Sequence, residues 1–159
     1  IQFLGCKMNY IGNKKLLDNK KASFLCSDAC DEKTLNKIAV WSDKIKDNDK
    51  VTVLSGFQSS GERLVLEKIL NGKANAVMLL ARCMFSKCPE EYVKAVNEGR
   101  LLIVSVTDNK EDFKVDYNRA FERNMRVISG GEKIIVGFVK KGGMVEKVLG
   151  QAGKPYVLL

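Results

Sequence analysis

The chain has 159 residues, 45% of them hydrophobic and 29% charged, the composition of one ordinary folded domain, which excludes disordered, collagen-like and disulfide-scaffold classes. Lys and Arg number 27 against 19 acidic residues, a net charge of +8, and there is no histidine. Histidine catalysis is therefore excluded, and the basic excess favours polyanionic partners such as nucleic acid or nucleotides.

The opening Ile1, Gln2 and Phe3 carry neither an initiator Met nor the basic-then-apolar layout of a secretory signal, so the expectation is a trimmed or internally started chain in the cytoplasm. The longest nearly unbroken apolar run, residues 101–106, is far below the ~18 residues that a membrane span requires. Cys6, Cys26, Cys30, Cys83 and Cys88 are odd in number, which fits reduced thiols rather than a disulfide framework. Neither Cys26-x3-Cys30 nor Cys83-x4-Cys88 has the C-x2-C spacing of a structural zinc site, so no metal and no cofactor is expected.

Residues 1–21 read as a basic lead-in, with Lys7, Lys14, Lys15, Lys20 and Lys21 against Asp18. A strand is expected at 23–26, followed by a helix over 31–45 with Leu35, Ile38, Trp41 and Ile45 at helical spacing. A second strand, 51–54, leads through Ser55-Gly56 into a helix opened by the capping-box pair Ser59 and Glu62. The third strand is 76–80; Pro89 begins a helix that Gly99 stops, and 101–106 is the fourth strand. After a loop rich in Asp, Asn and Lys comes a helix over about 116–128 that ends at Ser129-Gly130-Gly131. Strand 133–139, a Gly142-Gly143 turn, a helix through Val148 and a final strand 156–159 complete the chain. Six strands alternating with five helices predict one α/β domain over 1–159, a Rossmann-like, doubly wound, mainly parallel sheet with helices on both faces.

Ligands of such sheets bind beyond the carboxyl ends of the strands, so the βα loops are where a site is sought. The first candidate loop holds Ser55, Gly56, Phe57, Ser60 and Arg63, where small residues admit a phosphate to backbone N–H groups at a helix N-terminus. Arg82 follows the third strand as a phosphate anchor. Lys141, Gly142 and Gly143 repeat the phosphate logic with full positive charge nearby. Neither loop matches the dinucleotide fingerprint or the Walker A loop. Arg119, Arg123 and Arg126 fall on one helical face at spacings of four and three, a stripe suited to gripping phosphates. Asn124 adjoins it.

The run Ser55-Gly56-Phe57, then Ser60, Glu62-Arg63, Ala81-Arg82, Glu98-Gly99-Arg100-Leu101-Leu102, Arg123-Asn124 and Gly153-Lys154-Pro155 resembles the DNA-processing protein A (DprA/Smf) family, most of all its short branch within the SLOG superfamily. The resemblance implies a Rossmann-like core that binds single-stranded DNA, hands it to a recombinase during natural transformation, and works as a homodimer. By position, Ser55, Gly56 and Phe57 match the family's S-G-[FL], Arg123-Asn124 its R-N pair, and Gly142-Gly143 its glycine-containing turn. The chain departs from the family at Cys26-Ser27-Asp28, where G-S-R is usual, and over Gln58 to Arg63. The same superfamily holds nucleotide-derived ligand sensors and phosphoribohydrolases, whose G-G-x-G-T-x-x-E loop resembles Gly142-Gly143-Met144-Val145-Glu146. Two readings follow. The first is a non-enzymatic single-stranded DNA binding module in DNA uptake or recombination. The alternative is a nucleotide or nucleoside-phosphate pocket, sensing or hydrolytic, with Glu62 or Glu146 as the acid–base carboxylate.

Overall fold

The computed structural model describes residues 2–3, 6–7 and 9–159, the first four by backbone alone. The Cys6 thiol and the Lys7 ammonium of the sequence reading lie outside the described residues.

In chain order the elements are β1 (Gln2–Phe3), β2 (Cys6–Lys7), β3 (Tyr10–Gly12), a 3-10 helix (Lys14–Asp18), β4 (Ala22–Leu25), α1 (Glu32–Ile45), β5 (Thr52–Ser55), α2 (Ser60–Leu70), β6 (Asn75–Leu80), α3 (Glu90–Asn97), β7 (Leu101–Ser105), α4 (Tyr117–Gly130), β8 (Lys133–Val136), α5 (Met144–Ala152) and β9 (Val157–Leu158). β1 and β2 pair with each other; the other seven form one sheet in the order β3-β7-β6-β5-β4-β8-β9. All neighbours in it are parallel except β3, which runs antiparallel on β7. The Rossmann-like α/β fold holds, and each of the six expected strands is present. The strand expected over 133–139 ends at Val136, where its partner β4 ends at Leu25.

Both faces of the sheet are covered, as the near-continuous apolar strands require. Side chains alternate across a strand, so Phe24, Val53, Ala76, Met78 and Ile103 pack under α1, α2 and α3, while Leu25, Leu54, Val77, Leu79 and Val104 pack under α4, α5 and the 3-10 helix. Caps mark the helix starts. The Asp31 carboxylate accepts the Thr34 N–H at 2.8 Å, and Ser59 with Glu62 forms the expected capping box. At the other end of α2 the Arg100 guanidinium donates to the carbonyls of Ile69 and Ala74 at 3.0 and 2.7 Å, supplying the groups that a helix C-terminus leaves unpaired.

Part of the basic lead-in is built into the sheet: β3 extends it at one edge and Leu16 is buried in the core, while Lys14, Lys15 and Lys20 stay exposed. Lys21 is buried, its ammonium donating to the carbonyls of Leu17 and Asn19 at 2.7 Å each. Burial lowers its pKa. An ammonium spent on two backbone carbonyls is not a phosphate contact.

Candidate functional site

The chain runs from β4 outward to β7, then crosses back through α4 to β8 on the other side of β4. Strand order therefore reverses between β4 and β8, and loops leaving these strands diverge and open a crevice at their carboxyl ends. The crevice is real: a cleft of about 440 Å³ is walled by Cys26, Ser27 and Asp28 after β4, Gln58, Ser59 and Glu62 after β5, Lys140, Gly143, Met144 and Val145 after β8, and Arg123 and Asn124 from α4. Ser27 laces its two sides together, donating its N–H to the Phe138 carbonyl at 2.8 Å and accepting the Lys140 N–H on its hydroxyl at 2.9 Å.

Two buried opposite charges stand in this wall. Glu62 is 4% exposed and Arg123 also 4%. The Glu62 carboxylate accepts three backbone N–H groups, those of Cys26 and Gln58 at 3.0 Å and of Ser59 at 3.4 Å. Burial raises its pKa, with the three donors and the Arg123 charge pulling the other way. Arg123 is less provided for. Its Nε donates to the Asn124 side-chain oxygen at 2.9 Å, and its Nη1, fully buried, has no hydrogen-bond partner among the described residues. Burial lowers the Arg123 pKa and Glu62 opposes that fall. A buried guanidinium with an unmade bond is costly unless something satisfies it.

The N-terminus of α5 opens on the same cleft. Its N-cap, Gly143, provides no side-chain bond, so the positive end of that helix is left to whatever occupies the cleft. Beside it Lys140 and Lys141 are exposed. The arrangement suits an anion with several oxygens, offering a guanidinium, ammonium groups and a helix N-terminus together.

Of the residues singled out from sequence, the cleft brings together Glu62, Arg123, Asn124 and Gly143. Lys141 and Gly142 lie on the adjoining exposed turn, and Ser60 is exposed at the start of α2. Several expected roles change. Gly56 makes room for a side chain and not for a ligand: a Cβ there would lie 2.5 Å from Arg123 Nη1 and 2.6 Å from its Cζ. Ser55 is buried and accepts the Phe57 N–H on its hydroxyl at 3.2 Å, holding a turn in which Phe57 has a φ of 50°. Phe57 and Arg63 line a second cavity of about 510 Å³ between α2 and α3, and Arg82 stacks on Phe85, 5.0 Å from its ring centre. Glu62 is committed to backbone donors, and Glu146 accepts the Gly142 N–H at 3.1 Å, bracing the turn.

The arginine stripe is not a row of free cations. Arg123 is buried, Arg119 is paired with Asp116 and Asp112 at 2.8 and 3.2 Å and donates to the Ala81 carbonyl at 3.2 Å, and Arg126 is paired with Glu122 at 2.6 Å. Helical spacing correctly aligned them, but the face they share turns inward at Arg123. The sequence pointed to the loops that hold Gln58 and Lys140 but did not join them with Ser27 as one site. That signal is topological: the three loops follow β5, β8 and β4, which the crossover makes neighbours in the sheet.

The fold and the cleft define a doubly wound α/β domain with a crevice at its switch point that Arg123 and Lys140 help to line. Among solved structures the chain is similar to DNA processing protein A from Helicobacter pylori, described in a single-stranded DNA binding mode, with a TM-score of 0.73 and 18% identity, covering 96% of this chain and 71% of that one. It is also similar to DNA processing protein A from Streptococcus pneumoniae, with a TM-score of 0.70 and 15% identity, covering 95% of this chain and 54% of that one. This chain thus spans about half the length of the second protein. No family model and no curated protein sequence matches. The resemblance read from the sequence holds at the level of the fold.

Proposed function

We propose that the chain is a single-stranded nucleic-acid binding module that seats a backbone phosphate in the switch-point cleft. The observation that carries this reading is Arg123, a guanidinium 4% exposed in the cleft wall with one nitrogen unpartnered, beside an uncapped helix N-terminus. Guanidinium groups and helix N-termini both favour phosphate oxygens. The fold shared with a protein described as binding single-stranded DNA supports DNA as the polyanion, and the +8 net charge supports attraction at a distance. On this reading the protein serves DNA uptake or recombination in the cytoplasm, as a homodimer and with a recombinase as partner. Among the described residues no helix is long and apolar enough to cross a membrane. Binding is favoured over N-glycoside hydrolysis because Glu62 and Glu146, the two carboxylates that the hydrolytic reading calls on, are engaged by backbone N–H groups.

The test is a fluorescence-anisotropy titration of a labelled single-stranded oligonucleotide against wild type and Arg123→Met, with mononucleotides and duplex DNA as competitors. Tight binding to the single strand, lost in the variant and poorly competed by mononucleotides, is the expected result. Competition by a mononucleotide at equal phosphate concentration would transfer the site to the small-ligand reading.

A further inference from the structure

The loop that leaves β4 reads Cys26-Ser27-Asp28-Ala29-Cys30 before the N-cap Asp31. Ala29 has a φ of 60°, a left-handed conformation unusual for a residue with a Cβ, and such a residue reverses the chain in a tight turn. Both thiols then meet the first turn of α2. Cys30 Sγ lies 3.8 Å from the Ser60 hydroxyl, and Cys26 Sγ packs on the next residue, Gly61, where an added Cβ would be 2.6 Å from the sulfur. Each cysteine therefore stands against one of two consecutive residues. The pair is unlike in exposure, Cys26 being buried and Cys30 half-buried. Cys83 and Cys88 show no such convergence: the Cys83 thiol donates to the Lys110 carbonyl and the Cys88 thiol to the Pro89 carbonyl, each at 3.6 Å.

We propose that Cys26 and Cys30 form a reversible disulfide in the wall of the switch-point cleft, with a peroxide as the oxidant. The half-buried Cys30 is the sulfur that a small oxidant reaches. Its thiolate attacks one peroxide oxygen and breaks the O–O bond, giving the sulfenic acid and hydroxide, which takes up the proton that Cys30 released. The Cys26 thiol then attacks the Cys30 sulfur, the S–S bond forms, and the hydroxyl leaves with the Cys26 proton as water. Two thiols and one hydrogen peroxide thus become one disulfide and two waters. Burial, with Cys30 and Glu62 alongside, holds the Cys26 thiol protonated well above the ordinary range, so the first sulfur to react is that of Cys30, and Cys26 is left to close the bond by its proximity. The site goes beyond nucleic-acid binding and stands whatever anion the cleft takes.

The test exploits the sequence, because trypsin cuts after Lys21 and Lys33 and releases both cysteines in one peptide, residues 22–33. The full chain is treated with stoichiometric hydrogen peroxide, its remaining thiols are alkylated, and the digest is mapped by mass before and after reduction. The expected result is that peptide 22–33 loses both alkylation sites and two hydrogens, recovers them on reduction, and does so faster in the folded protein than in the same chain in urea. The double variant Cys83→Ser, Cys88→Ser should behave identically, and Cys30→Ser should abolish the product. The proposal is overturned if peptide 22–33 stays fully alkylated while Cys83 or Cys88 is consumed, if the linkage forms between chains, or if unfolding leaves the rate unchanged.

Discussion

Arg123 concentrates the tension between folding and function. A buried cation with an unmade hydrogen bond is costly, but Glu62 beside it is buried too and feels its charge, and removing one partner of a buried pair leaves the other uncompensated. Arg123→Met should therefore lower the melting temperature as well as abolish oligonucleotide binding. An unchanged melting temperature would show that Glu62 does not depend on the Arg123 charge. Gly56 tests the same guanidinium from below. A Cβ at that position meets Nη1, Cζ and Cδ of Arg123 at 2.5 to 2.7 Å, and the buried side chain has little room to yield. Gly56→Ala should cost ~1–3 kcal/mol by overpacking and weaken binding as well, because the displaced guanidinium no longer faces the cleft. Denaturant unfolding and anisotropy on one preparation measure both. Normal stability together with normal affinity would show that the guanidinium relocates freely.

Elements were legible where a local signal decided them. Ser59 and Glu62 announced α2, Asp116 and Pro89 stood at helix starts, and the six parallel strands announced themselves as apolar runs. β3 was not legible, because three residues with Tyr10 and Ile11 acquire strand character only by pairing with β7. The burial of Arg123 was hidden for a related reason: helical periodicity reports which residues share a face, and the crossover that lays that face over Gly56 is a tertiary fact. The interior of α4 also gives Arg119 a role the stripe reading did not foresee. It ties Asp112, Asp116 and the Ala81 carbonyl together, clamping the loop before α4 to the end of β6. Arg119→Ala should lower stability by ~1 kcal/mol and raise hydrogen exchange over 107–116, with oligonucleotide affinity little changed; a large affinity loss with unchanged exchange would restore it to the site. At α1 the bond to Thr34 lowers the Asp31 pKa. A depressed folded value means that the stabilisation is present above the unfolded pKa of about 3.9 and is lost as pH falls through the folded one. The advantage of wild type over Asp31→Ala should accordingly shrink between pH 7 and pH 3 in urea unfolding, and a constant gap would deny the carboxylate its role as cap.

At the scale of the whole molecule, a net charge of +8 suggests a broad polyanion track, but several of the cations are already committed to partners within the protein. Arg100 holds the carbonyls at the end of α2, Arg119 and Arg126 are paired with carboxylates, Lys21 is buried on backbone oxygens, and Lys68 is paired with Asp43 at 2.9 Å. At the cleft the cations are Arg123, Lys140 and Lys141. Net charge governs how the chain attracts a polyanion from a distance, whereas the salt dependence of the equilibrium counts the phosphates neutralised at contact. Each such contact on a single strand contributes ~0.7 to the slope of log K against log salt, so three cations in one cleft predict a slope near about −2. A track running over the full basic surface would be much steeper. Titrating a single-stranded oligonucleotide between low and physiological salt measures the slope directly, and repeating it with Lys140→Ala should flatten it by about one contact's worth, ~0.7. A slope several times steeper, or one that Lys140→Ala leaves unchanged, would place the nucleic acid outside the switch-point cleft.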